Sequence, residues 1–299
     1  MPTSADLFEL FFMGPGLLCF LPILFAPVPI ARWLRARSAQ RRAATIEQLA
    51  DSGRFAEARV LLKQDIARLR RRRRKQLVQG ALAAAIRDDA DYALRDGKLE
   101  EARFLAGEAA AVAQVATETA PSRAAQAHLN LGRFLSRVDD NKLALVHLRR
   151  AVTLSQDDSA LRSLACASAS LVLRRLGVLE EALSMAADAW QAGDANSIGV
   201  GWAHVAKALA QADAGQDGRS AAQESLRIFR LLATQDAERE GMAYACYANA
   251  YAGYAVYDDN AVGYAREAWE QFSRLYQLAP ALYRSRLADA ETLLNALHA

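Results

Sequence analysis

The sequence predicts an all-α protein: a solenoid of about six helical hairpins plus a capping helix, preceded by one N-terminal transmembrane segment. A turn phrase recurs six times between residues 53 and 258, small residues stand at fixed distances from each turn, and the 22 residues from Leu10 to Ala31 carry no charge. The composition agrees, because 53% of the 299 residues are hydrophobic and only 7 are Pro. Such a chain can bury a sizeable helical core.

The uncharged run reads LFFMGPGLLCFLPILFAPVPIA, and about 20 apolar residues suffice for a helix to cross a bilayer. Acidic Asp6 and Glu9 precede it, whereas basic residues follow it, so the positive-inside bias predicts a single-pass protein whose repeat domain is cytoplasmic. Four prolines leave open a kinked helix or a shorter interfacial or re-entrant segment. A hydrophobic element buried in protein is a further alternative.

The recurring phrase marks the turns of the hairpins. Its instances are GRFAEA, GKLEEA, DDNKLA, GVLEEA, GQDGRSA and YDDNAVGYA, with turn positions at 53, 97, 139, 177, 215 and about 256. The intervals of 38 to 44 residues predict one helical hairpin per repeat. In each phrase, Gly or a local Asp pair is expected to end the first helix in a left-handed or capped turn.

Small residues at three registers predict close helix crossings. They lie five residues after the turn, twelve after it and seven before it. The first set is Ala58, Ala102, Ala144, Ala182, Ser220 or Ala221, and Ala261; the second is Ala109, Ala151, Ala189 and Ala268; the third is Ala90, Gly132, Ser170 and Ala208.

This pattern resembles the tetratricopeptide repeat (TPR), most clearly where HLNLGRFL precedes Asp139 and LALVHLRRA follows it. The resemblance covers roughly residues 41 to 278 and implies a TPR-like α-solenoid that binds partners on an extended surface. It departs from the family in length, since that repeat has 34 residues. We predict an anchor over 1–31, a basic juxtamembrane region with the first hairpin over 32–75, repeats over 76–280 and a capping helix over 281–299.

Basic charge is concentrated near the N-terminus. Residues 32 to 75 carry fifteen basic and four acidic side chains, and seven of the eight residues from Arg68 to Lys75 are positive. We expect the two basic clusters to form one patch on anionic lipid headgroups; a merely solvated face, or contact with nucleic acid or an acidic protein, stays open. The patch comprises Arg32, Arg35, Arg37, Arg41, Arg42, Arg68, Arg70, Arg71, Arg72, Arg73, Arg74 and Lys75.

Eight of the nine tyrosines follow residue 243. Five of them fall at spacings of 3 or 4 on one predicted helix face, namely Tyr244, Tyr247, Tyr251, Tyr254 and Tyr257. One interpretation is a partner-binding stripe facing the groove. The other is that these rings fill the end of the core against Trp269 and Phe272.

The chain shows no sequence motif for a catalytic or metal site. Phosphate-binding, zinc-protease, paired-cysteine and nucleophile-elbow signatures are missing, and the four histidines are dispersed. Acidic clusters such as Asp88, Asp89 and Asp91 are interpreted as helix starts or exposed faces. No enzyme activity, cofactor or metal is predicted.

The sequence therefore predicts a non-catalytic, membrane-anchored scaffold that tethers a protein or peptide partner at the cytoplasmic membrane face. Anionic lipid is the second expected partner. The alternative is a regulatory TPR module that binds nucleic acid or a signalling partner through the Arg-rich run, with nucleic acid the less favoured of these partners.

Overall fold

The computed structural model describes residues 40–71, 76–115, 121–232 and 237–298. The chain divides into two compact units, Met1–Arg54 and Phe55–Ala299. The first unit contributes helix α1, residues 40–51. The helices of the second unit are α2 (Phe55–Arg71), α3 (Gln76–Arg95), α4 (Leu99–Val115), α5 (Pro121–Arg137), α6 (Asn141–Leu154), α7 (Ser159–Arg175), α8 (Leu179–Ala192), α9 (Ile198–Asp213), α10 (Arg219–Leu232), α11 (Ala237–Ala255), α12 (Ala261–Leu278) and α13 (Pro280–His298). The described residues contain no strand, and the predicted all-α class is confirmed.

All six predicted turns contain a residue in the left-handed region of backbone space. The residues are Gly53, Gly97, Gly177 and Gly215, with φ between 70° and 78°, and Asp139 and Tyr257, with φ of 60° and 57°. The next amide donates to a carbonyl five residues back, as from Lys98 N to Ala93 O at 2.9 Å and from Val178 N to Leu173 O at 3.0 Å. These bonds satisfy carbonyls that the helix end leaves open, so each turn within the second unit reverses the chain without a long loop.

Odd-numbered helices α3 to α11 are the first helices of their hairpins, and α4 to α12 are the second. In the second unit, the small residues five positions after the turns are buried: Ala102, Ala144 and Ala182 have no exposed surface. In the fifth hairpin the buried residue is Ala221, since Ser220 is exposed. Two contacts confirm close crossings: Ser170 Oγ on α7 donates to Ala182 O on α8 at 2.6 Å, and a Cβ built on Gly132 in α5 would lie 3.1 Å from Ala144 O on α6.

Two clusters dominate the core of the second unit. One contains side chains of α3 to α7, and the other contains side chains of α7 to α12. The last helix does more than cover the end of the array, because Leu282 joins the first cluster and α13 packs against α3 as well as α12. The unit therefore has contacts between distant repeats, which a simple linear stack of repeats lacks.

The predicted single-pass membrane localisation is corrected by this structure. Within 40–71, 76–115, 121–232 and 237–298, no helix is both long and apolar enough to cross a membrane. The physical reason is charge, because the helices of 18 or more residues in these ranges (α3, α11, α12 and α13) each carry at least three charged side chains. The apolar run of residues 10–31 lies outside the described residues.

Candidate functional site

Two adjoining cavities in the second unit form one groove, which we call the central groove. They share Leu171, Arg175 and Tyr244. The smaller cavity is further lined by Arg133, Ser136, Arg137, Leu148, Ser168, Trp202 and Glu240, and the larger by Asp139, Asn141, Arg174, Leu209, Tyr247, Phe272, Arg286 and Asp289. The larger cavity has a volume of about 370 Å³, which lies within the range of small-ligand pockets.

Helical periodicity explains why these residues share one groove. On α7, Ser168, Leu171 and Arg175 are spaced by three and four residues, which places them on one helix face. Trp202 and Leu209 on α9 stand seven residues apart, and Glu240, Tyr244 and Tyr247 on α11 repeat the four-and-three spacing. First helices therefore form most of the lining, while α12 and α13 complete the larger cavity.

A charged cluster joins three first helices across the smaller cavity. Arg137 Nη2 on α5 donates to Glu240 Oε2 on α11 at 2.8 Å, and its Nη1 lies 3.9 Å from Asp91 Oδ1 on α3. Arg133 Nη2 lies 3.8 Å from the same Glu240 oxygen. Burial raises the pKa of Glu240, but Arg137 and Arg133 outweigh it and hold that pKa below its ordinary value. The cluster is therefore an ionised bridge between residues 103 positions apart.

Arg175 and Arg286 bring two further guanidinium groups into the larger cavity. Arg175 Nη1 donates to Ser136 O at 2.9 Å and to Ser136 Oγ at 2.8 Å. Arg286 Nη1 donates to Asp289 Oδ2 at 3.3 Å, and its Nη2 lies 3.9 Å from Asp139 Oδ1. Among the described residues, one donor and one acceptor of this cavity, Arg286 Nη2 and Asn141 Oδ1, are buried without a hydrogen-bond partner.

Three aromatic rings line the groove: Trp202 in the smaller cavity, Phe272 in the larger and Tyr244 in both. Trp202 packs edge-on against Tyr244 with ring centroids 5.1 Å apart, and Tyr244 meets Phe272 in the same manner at 5.3 Å. Edge-to-face pairs of this kind fix ring positions and add about 1 kcal/mol beyond the area they bury. The wall between the two cavities is therefore a rigid aromatic layer with a phenol hydroxyl on it.

The five tyrosines predicted as a partner-binding stripe occupy different surroundings. Tyr244 and Tyr247 line the groove, and Tyr251 donates its hydroxyl to Asp213 Oδ1 at 2.9 Å under the guanidinium of Arg174. Tyr254 and Tyr257 are 44% and 94% exposed and line neither cavity. The helix ends at Ala255, so Tyr257 belongs to the following turn. Partner binding by this set stays a prediction.

Only part of the predicted basic patch falls on described residues. Arg41 and Arg42 lie on α1, and Arg68, Arg70 and Arg71 occupy the last turn of α2. Arg70 pairs with Glu108, and Arg68 lies 3.1 Å from Asp65. Internal acids thus neutralise two of these charges, and the described residues give lipid contact no support. The remaining members lie outside the described residues: Arg32, Arg35, Arg37, Arg72, Arg73, Arg74 and Lys75.

The sequence did not predict the charged members of the groove. Arg133, Arg137 and Arg286 are each flanked by two uncharged residues, whereas Arg175 and Glu240 each follow another charged residue. Both settings are typical of solvent-exposed side chains. The available signal was that Arg133 and Arg137, and also Glu240 and Tyr244, repeat at four residues on helices expected to face the groove. Contact between α5 and α11 leaves no trace in sequence spacing.

Solved structures with a similar fold include two helical proteins. One is the crystal structure of BtubC (BKLC) from P. vanneervenii, with a TM-score of 0.59 and 14% identity over 74% of this chain and 92% of that one. The other is the Rap conjugation gene regulator of the plasmid pLS20 in complex with the Phr* peptide, with a TM-score of 0.53 and 14% identity over 84% of this chain and 70% of that one.

No family model and no curated protein matches the chain. At 14% identity the structural likenesses show the fold alone. The helical-repeat fold that the TPR resemblance implied is therefore confirmed, and membership of that family stays a prediction.

Proposed function

We propose that this chain is a non-catalytic interaction protein that binds a peptide segment of a partner in the central groove. The observation that carries the proposal is the groove itself, where four first helices contribute arginines, hydroxyls and aromatic rings to connected cavities, the larger of about 370 Å³. Fixed rings give contact area at little entropic cost, and the polar groups orient a backbone or side chain. The Rap regulator, a protein of similar fold, was solved in complex with a peptide.

A peptide is favoured over a compact protein domain because the polar groups sit inside cavities. Arg286 and Glu240 are only 14% and 15% exposed, so a partner must insert a narrow segment to touch them. An extended chain can do so while its backbone contacts the rim. The alternative function through the Arg-rich run gains no support from the described residues, since Arg68 and Arg70 already pair with acids.

Selection from a displayed library of random linear peptides tests this proposal. Leu171→Trp adds bulk where the two cavities meet, and Leu231→Trp makes the same change at a site on α10 that is 61% exposed. We expect selected peptides, measured by fluorescence anisotropy, to bind the unaltered chain and the Leu231→Trp variant alike. The Leu171→Trp variant should bind them about tenfold or more weakly. Equal enrichment on both variants would place peptide binding outside the groove.

A further inference from the structure

The geometry points to an acidic peptide as the ligand: we propose that one carboxylate of the bound peptide occupies the larger cavity between Arg175 and Arg286. This inference rests on the proposed function and specifies the chemistry of the ligand. It depends on a contrast between two kinds of arginine in the groove. Within the described ranges, Arg137 and Arg174 form short, direct hydrogen bonds to a carboxylate of the same chain, whereas Arg175 and Arg286 do not.

Arg137 and Arg174 belong to the first kind. Arg137 bonds Glu240 at 2.8 Å, and Arg174 Nε donates to Asp213 Oδ2 at 2.6 Å while its guanidinium covers the ring of Tyr251. Direct bonds of this length between ionised groups are strong. Each of these two charges is therefore neutralised within the fold.

Arg175 lacks such a carboxylate. Its hydrogen bonds in the described part of the chain go to the carbonyl and hydroxyl of Ser136, and both are neutral acceptors. Burial lowers the pKa of Arg175, and the positive charge of Arg286 lowers it further. An anion between the two guanidinium groups would offset the repulsion from Arg286. It would also accept hydrogen bonds from those N–H groups of Arg175 that do not bind Ser136.

Among the described residues, Arg286 has a hydrogen-bond acceptor for one of its two terminal nitrogens but not for the other. Within the part of the chain that the structure describes, its Nη2 is buried without a hydrogen bond, and an oxygen of Asp139 lies 3.9 Å away, beyond hydrogen-bond distance. Asp139 and Asp289 have side chains that are 65% and 51% exposed, so solvent screens their charge. A buried donor without an acceptor is costly, and a ligand oxygen at this position would remove that cost.

The surroundings select a carboxylate on a peptide rather than a free inorganic anion. Tyr244, Tyr247 and Phe272 line the same cavity, and they offer apolar contact to the atoms that carry the acid. Arginine recognises carboxylates through two parallel hydrogen bonds. An Asp or Glu side chain and a C-terminal carboxylate share this chemistry, so the experiment must separate the two sources.

The test uses pools of short fluorescein-labelled linear peptides that differ in two features only. Each pool contains either Glu or Gln and ends in either a carboxylate or an amide. The proteins are the full chain, the double variant Arg175→Gln/Arg286→Gln, and the control Arg149→Gln/Arg227→Gln, which removes the same charge from exposed pairs on α6 and α10. Binding is followed by anisotropy at physiological salt, and folding by circular dichroism.

We expect at least one carboxylate-bearing pool to bind the full chain about tenfold more tightly than the pool with Gln and an amide. The preferred pool identifies the side-chain or the terminal carboxylate. The preference should disappear in the Arg175/Arg286 double variant and persist in the control. If the double variant melts early, each single variant is measured instead and should lose part of the preference.

Other results would overturn the inference. If all pools bind equally and Leu171→Trp abolishes that binding, the groove binds peptides without preference for a carboxylate. In that case the inference fails and the proposed function stands. If the double variant still prefers carboxylate-bearing peptides, another basic surface binds the carboxylate and the inference is wrong. If no pool binds, the proposed function fails and the inference fails with it.

Discussion

The imidazole rings of His128 on α5 and His147 on α6 face each other inside one hairpin. Their Nδ1 atoms are 3.1 Å apart and their rings stack with centroids 5.3 Å apart. One ring must donate and the other accept, so the contact requires that the facing nitrogens share a single proton. Burial, and then the charges of His147 and Arg150, lower the pKa of His128 to about 4, and burial lowers that of His147.

Acid should therefore weaken the fold through this pair. Because the folded pKa lies below the unfolded value of about 6.5, the stabilisation is complete above pH 6.5 and is lost as the pH falls towards 4. For His128 the loss corresponds to about 3 kcal/mol at the lower limit. Urea unfolding of the His128→Leu variant should show a flatter stability profile between these pH values, whereas His298→Gln should keep the slope. An unchanged slope in His128→Leu would contradict the assignment.

Arg59 on α2 is a buried charge whose partners come from other helices. It is 3% exposed, its Nε donates to Asp89 Oδ1 at 2.7 Å, and its Nη2 lies 2.7 Å from Glu101 Oε1. Hydrogen bonds from Arg59 and then Lys63 lower the pKa of Glu101 to about 2. Asp89, interpreted from the sequence as a helix start or an exposed face, is only 1% exposed, and that interpretation is corrected because the guanidinium group compensates its burial.

Removing only the guanidinium group should be costly, because Asp89 would stay buried without a partner. We expect Arg59→Met to lower the free energy of unfolding by about 3 to 5 kcal/mol. Lys63→Met, at a side chain of the same cluster that is 53% exposed, should cost under about 1 kcal/mol. Denaturant unfolding at neutral pH measures both. Equal losses would mean that Arg59 contributes no more than a surface pair.

At the scale of the helical element, Gly132 decides how closely α5 and α6 cross. A Cβ built on Gly132 would lie 2.6 Å from Leu148 Cγ and 3.1 Å from the carbonyl oxygen of Ala144. Leu148 is fully buried and cannot move away without disturbing the core. By contrast, a Cβ on Gly263 in α12 meets nothing within 4 Å, so the two positions separate packing from helix propensity.

Alanine at these two glycines should act in opposite directions. Gly132→Ala gains helix propensity but overpacks the crossing, so we expect a net loss of about 1 to 2 kcal/mol in the free energy of unfolding. Gly263→Ala should gain about 0.5 to 1 kcal/mol. Thermal and urea unfolding of both variants measure the difference. A gain at Gly132 would show that the crossing relaxes and that its small residue is not required.

The limits of sequence prediction also lie at this scale. The six turns and the small residues beside them were predictable because each hairpin is local, so Gly97 and Ala102 carry the signal within one phrase. The pairs of Arg59 with Asp89 and of His128 with His147 were missed, because their residues lie 30 and 19 positions apart on different helices. The groove arginines were missed for the same reason at longer range.

On the scale of the whole second unit, the contact between α5 and α11 and the packing of α13 on α3 join repeats far apart in the chain. A linear repeat array gains stability only from neighbouring repeats. Here Glu240, 15% exposed, pairs with Arg137 from a helix 103 positions earlier. We therefore expect α3, α5 and α11 to unfold locally together.

Hydrogen exchange can test this coupling. Glu240→Gln keeps the shape of the side chain but removes its charge. Among the described residues, Arg133 and Arg137 then lose their shared carboxylate, and Arg137 keeps Asp91 at 3.9 Å. We expect faster amide exchange in α3 and α5 as well as in α11, because opening should cost about 2 to 4 kcal/mol less. Glu224→Gln removes an exposed charge that pairs with Arg227 within α10 and should leave α3 and α5 unchanged. If Glu240→Gln accelerates exchange in α11 alone, the bridge is a local contact and the distant repeats open independently.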